Sequence, residues 1–131
     1  MEKDDMQSKI FEISMLENKL KQLDQQLNMI EQQIAEDQRL EENLKDLKNN
    51  EKSDAILPLG GGIFARGSLN KTDKLLVNIG AGILSEKSLD EAREGVGKRK
   101  DRLLEAKEEL GKQMQKIVLT MSDLEKTIKG N

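Results

Sequence analysis

The residues most suggestive of chemistry are glycines. Gly60 to Ala65 reads G-x-G-x-x-A and follows an apolar run, the pattern in which backbone amides at a helix start cradle a dinucleotide pyrophosphate. That site requires a helix directly after the glycines, whereas Phe64 to Leu69 contains Gly67 and runs into a turn, and no G-x-x-x-x-G-K-[ST] occurs anywhere. Turn geometry explains these glycines without a ligand. Adjacent carboxylates, Glu41 with Glu42 and Glu108 with Glu109, lie among Lys and Gln on faces expected in water, a poor setting for an acid/base pair. The basic run Lys98, Arg99, Lys100, Arg102 encloses Asp101, has Glu94 and Glu105 about one turn away, and offers no aromatic for base stacking; ion pairing along or between helices fits it better than nucleic acid. The chain contains no His and no Cys, which removes the commonest general base, the commonest metal ligand and every thiol nucleophile. No catalytic, cofactor-binding or metal-binding residue emerges, and a non-enzymatic role is expected.

The elements that carry these residues follow from composition and period. In 131 residues, 36% are charged and 2% aromatic, against about 25% charged in an average globular protein, so a large compact core is not expected. A net charge of -3 supplies no global basic field for phosphate backbones, and no apolar stretch is long enough to span a membrane. A soluble, cytoplasmic protein is expected, with neither nucleic acid nor membrane as partner. By composition the chain divides into residues 1–52 and 88–131, rich in Glu, Lys, Gln and Leu, and residues 53–87, which hold most of the glycines and the only proline. The three parts are read as one domain.

Met6, Ile13, Leu20, Leu27 and Ile34 recur every seven residues, with Leu16, Leu23 and Ile30 three positions after an a-type residue, which is a coiled-coil seam. The pattern fails at Asp37 and Glu41 and resumes in another phase through Leu40, Leu44 and Leu47, with Asn49 and Asn50 as stop residues. Ser88-Leu89-Asp90-Glu91 reads as a capping box opening a second helix. Leu89, Val96, Leu103, Leu110, Ile117 and Leu124 form its first seam row. Ala92 and Ala106 fill the second row early; Met114, Met121 and Ile128 fill it later, after a phase change beside Gly111. Two helices of similar length predict an antiparallel hairpin of helices.

Between them lies a twenty-residue internal repeat. Residues 54–69, DAILPLGGGIFARGSL, align over residues 74–89, KLLVNIGAGILSEKSL, so that Gly60 and Gly62 match Gly80 and Gly82. Each copy reads as a β-hairpin with positive-φ glycines in its turn. Leu75, Val77 and Ile79 are expected to share one face, as are Ile63, Ala65 and Leu69; Asn70 to Asp73 form the connecting turn, and Pro58 implies an edge or a bulge. Ile56, Leu57, Leu59, Ile63, Phe64, Leu75, Val77, Ile79 and Ile83 are the candidate oligomerisation residues, because short strands on a thin coiled coil leave edges and an apolar face unburied.

Helix, tandem hairpins, helix, with AILPLGGGIFARGSL and KLLVNIGAGIL in the middle, looks like an α-class subunit of prefoldin of the archaeal type. The second hairpin is what separates this class from the single-hairpin β-class. The resemblance implies an α+β fold, a long antiparallel coiled coil joined by two hairpins that form part of an oligomeric β-barrel. It further implies a hexamer of two α-class and four β-class subunits that holds unfolded proteins without ATP and passes them to a group II chaperonin. Filament-forming or scaffold relatives are the alternative.

The residues reach a compatible reading independently. Ile10, Phe11, Met15, Met29 and Val118 are apolar yet off the heptad seams, and antiparallel pairing gathers four of them where the two ends of the chain meet, farthest from the hairpins. With Met6, Met121, Leu124 and Ile128 they form the candidate client-binding tip, an apolar and Met-rich surface able to repack against irregular partners.

Overall fold

The computed structural model describes residues 3–49, 52–70 and 74–130. Helix α1 spans Lys3–Asn49, four strands follow as β1 (Lys52–Gly60), β2 (Ile63–Asn70), β3 (Lys74–Gly80) and β4 (Ile83–Ser88), and α2 spans Leu89–Lys129. The expected stop at Asn50 and the Lys71–Asp73 part of the connecting turn lie outside the described residues. The chain forms two compact bodies, one comprising the chain up to Ala35 with the stretch from Asp101 onward, the other Glu36–Lys100. Among the described residues no helix is long and apolar enough to cross a membrane.

In the first body the heptad rows become a thin core. Leu23, Ile34 and Leu110 are buried, and Ile13, Leu16, Leu20, Met114 and Ile117 are half-buried along the same seam. Lys107 reaches Glu31 at 3.7 Å across the helices, in the sense that antiparallel pairing requires.

In the second body the seam contains a charge. Leu44 and Val96 are buried there, but so is Asp37, at 1% exposure, in the row that Leu16, Leu23 and Ile30 began. Its carboxylate accepts two hydrogen bonds from Arg99, Nε at 3.0 Å and Nη2 at 2.6 Å. Arg99 occupies the corresponding row of α2, between Ala92 and Ala106. The hydrogen bonding to the Asp37 carboxylate is the main reason the guanidinium is held above its ordinary pKa. Beside it Lys100 meets Glu41 at 2.7 Å, and Lys98 meets Glu94 at 3.1 Å, so three members of the basic run are spent on ion pairs. The lapse in the heptad pattern at Asp37 and Glu41 is therefore a polar layer.

Each hairpin is a separate two-stranded antiparallel sheet, β1 with β2 and β3 with β4. Both carry a bulge at the same place, between Pro58 and Gly60 and between Asn78 and Gly80, which matches the restriction Pro58 imposes. The bulge corrects one expectation. Leu75 and Val77 are half-buried, but Ile79 is the extra residue of the bulge; the alternation breaks there and Ile79 is exposed. Leu75 and Val77 face Leu40, Leu44, Ala92 and Val96 across a cleft of about 560 Å³. In the other sheet Leu57 lies over Gly67, where an added Cβ would stand 3.3 Å from Leu57 Cδ1.

The turns are tighter than glycine spacing alone implies. Gly60, Gly62, Gly80 and Gly82 have positive φ, and so do the residues between them, Gly61 at 59° and Ala81 at 50°. Two successive positive φ values define the mirror-image turn that suits hairpin twist. Gly80 N–H also donates to Asn78 Oδ1 at 2.9 Å, tying down the second bulge. At the other end of β4 the capping box forms reciprocally: Glu91 N–H donates to Ser88 Oγ at 3.0 Å, and Ser88 N–H to Glu91 Oε1 at 3.2 Å. The bond from the Ser88 backbone holds the Glu91 carboxyl below its ordinary pKa, so the cap is intact at neutral pH and is lost only as pH falls below the usual Glu range.

Two outcomes are expected. Arg99→Met removes the counter-charge of a buried carboxylate and, with the guanidinium itself half exposed, should destabilise by about 1 to 3 kcal/mol, whereas Asp37→Leu with Arg99→Met should recover most of that loss, both read from the thermal loss of helical circular dichroism. Ala81→Gly removes left-handed strain and should stabilise by about 0.5 to 1 kcal/mol, raising the melting midpoint by a few degrees, while Gly82→Ala should lower it.

Candidate functional site

Seam geometry decides which apolar side chains are left over. Taking Ile13 as an a position, Ile10 is e, Phe11 f and Met15 c; in the later phase of α2, with Met114 as a, Val118 is e and Leu119 f. The c and f positions lie away from the seam and the e positions flank it, and all five residues are at least half exposed, Phe11 at 66% and Leu119 at 61%. Met6, Met121, Leu124 and Ile128 are half-buried, because they belong to the seam rows themselves.

One of these positions, Val118, lines a groove between the two helices. Glu17, Leu20, Lys21 and Asp24 line one groove with Met114, Gln115 and Val118, a shallow trough of about 420 Å³ on the flank where the e positions of both helices lie. Residues near the start of α1 thus run beside those near the end of α2, and the exposed apolar side chains of both helices share this body. Met29, at 70% exposure, stands alone further along α1.

Sequence reasoning passed over Leu119 and Leu104, both exposed. The signal for Leu119 was available, since a residue two positions after Ile117 cannot face the seam that Ile117 faces. Leu104, one position after Leu103, is likewise turned off the row.

A second set of exposed apolar residues covers the hairpins. Ile56, Leu57, Leu59, Ile63, Phe64, Ile79 and Ile83 are all more than half exposed, as are Leu76 and Leu84 beside them. Ile56 opposes Arg66 and Phe64 opposes Pro58, so these side chains stand on the face opposite Leu57 and Ala65. Both faces of this ribbon are therefore partly apolar in the single chain, and each strand has one edge without a ladder partner. Among the described residues no cluster of carboxylates could hold a metal ion. What the arrangement offers is contact area: adaptable apolar side chains on a charged coiled coil, and strand edges open to pairing.

Comparison with known proteins gives one answer. The family model for prefoldin subunits matches residues 16–131. The prefoldin subunit alpha of Thermofilum pendens is 34% identical over 119 residues, covering 90% of this chain and 92% of its own. That of Methanobrevibacter smithii is 34% identical over 95 residues, covering 72% of this chain and 65% of its own. Among solved structures, a cryo-EM structure of filamentous prefoldin from Methanocaldococcus jannaschii superposes with a TM-score of 0.53 at 23% identity, over 90% of this chain and 93% of that one. Two long helices enclosing tandem hairpins, together with these likenesses, place the chain in the prefoldin family.

Proposed function

We propose that the chain is an α-class subunit of an ATP-independent chaperone that acts in the cytoplasm, captures unfolded proteins and delivers them to a group II chaperonin. Its hairpins join it to β-class subunits, in a hexamer of two α and four β. The observation that carries this reading is the set Ile10, Phe11, Met15, Val118 and Leu119, apolar, off the seam rows and at least half exposed among the described residues.

The energetics suit a reversible grip. Burying roughly 200 Å² of apolar surface at one such site yields at most about 5 kcal/mol, most of it consumed by ordering and association. Several arms on one body raise that affinity by a factor of roughly 10² to 10⁴ through effective concentration. Release then proceeds one arm at a time, without nucleotide hydrolysis.

Two outcomes are expected. Replacing Phe11, Val118 and Leu119 with Ser should leave helix content and native mass unchanged, since the seam residues Ile13, Leu16, Ile117 and Leu124 remain. Suppression of aggregation of an unfolded test protein, at matched concentration, should then fall severalfold; undiminished suppression by the intact assembly would refute capture at these residues. Replacing Ile56, Phe64 and Ile83 with Ser should lower the native mass by weakening subunit contacts while the helices persist, and an unchanged mass would assign assembly to the helices instead.

A further inference from the structure

The groove beside Leu20 has a charged rim as well as an apolar floor. Leu20, Met114 and Val118 form the floor. Glu17 precedes Leu20 by three residues and Asp24 follows it by four, so one carboxylate stands about a turn to either side on the same helix face, with Lys21 as the one cation lining the groove. Elsewhere in this body Glu31 and Glu108 are taken by Lys107 and Lys112. Among the described residues neither Glu17 nor Asp24 has an ion-pair partner, even though Lys21 is four residues from Glu17.

We propose that this groove selects client segments in which apolar residues are flanked on both sides by lysine or arginine. The proposal rests on the capture reading above and adds to it a class of client sequence. Seven helical residues separate the two carboxylates by about 10 Å along the axis. An unfolded chain in the polyproline II conformation rises about 3.1 Å per residue and repeats every three, so side chains at i and i+3 lie on one side about 9 Å apart. Basic residues at i and i+3 with apolar residues between them therefore fit the rim while an apolar side chain rests against Leu20 and Met114. Acidic residues at those positions meet like charge. Because the rim is in solvent, the discrimination is screened by salt and is largest at low ionic strength.

The test uses the assembled full chain and two fluorescein-labelled unstructured peptides that share their apolar residues, one with Lys and one with Glu at the two flanking positions. Fluorescence anisotropy at low salt should give about fivefold tighter binding of the Lys peptide, with the ratio approaching one at high salt. Glu17→Gln with Asp24→Asn, both on the surface, should abolish the preference while leaving helix content and native mass as they are. Equal binding of the two peptides by the unsubstituted protein, or a preference that survives in the double variant, overturns the charge selection and leaves capture standing. If neither peptide binds at any concentration, the capture reading falls with it.

Discussion

The register of the helix pair in the second body depends on one buried carboxylate. A seam of Leu, Ile and Ala tolerates a slip of seven residues, because every row repeats at that interval. Asp37 does not. Arg99 sits between Ala92 and Ala106 in its row, so a slip of one heptad either way would bring an alanine to the place of the guanidinium and leave a carboxylate with 1% exposure without its counter-charge. Such a group costs several kcal/mol, more than any single apolar contact in so thin a core could return. The pair need not add net stability to act this way: it makes the wrong alignments worse. Lys100 with Glu41 does not add to this discrimination, because a slip of one heptad either way brings another cation, Arg93 or Lys107, to the same place.

Once each helix row has a fixed counterpart, what is left over is fixed too. In the first body the leftover residues include Ile10, Phe11, Met15, Val118 and Leu119, with Met29 and Leu104 further along the helices, on a coiled coil whose other outward positions are mostly Lys, Glu, Gln and Asn. In the second they are the hairpin side chains, of which Leu75 and Val77 of β3 face the helix pair. A monomeric protein under selection for solubility alone would not keep both sets. Their coexistence in one chain is the physical content of belonging to a family that assembles.

Much of this was legible in the sequence because it is periodic or local. Seven-residue rows announce the helix pair, a twenty-residue repeat announces the two hairpins, and Ser88 with Glu91 announces the start of α2 within a residue. Pro58 pointed to the bulge that follows it. The Asp37–Arg99 pair was not legible, since its members are 62 residues apart and each alone reads as an interruption or as part of a charged run. Ile79 was misplaced because a strict two-residue alternation cannot anticipate an inserted residue, although the identical glycine spacing of the two repeats meant that whatever happened at Leu59 would happen at Ile79. Ala81 hid its turn conformation behind a residue type that rarely adopts it.

The separation of the hairpins into two sheets has a consequence for valence. Four strands in one sheet would expose two edges; the same four strands as two ribbons expose four, and each ribbon can be completed by a different neighbour. A protomer with two ribbons therefore presents two separately placed pairs of edges, and an assembly of such protomers closes only where its geometry returns to its start. Duplication of one twenty-residue unit thus doubles the number of strand edges that a single chain presents for pairing.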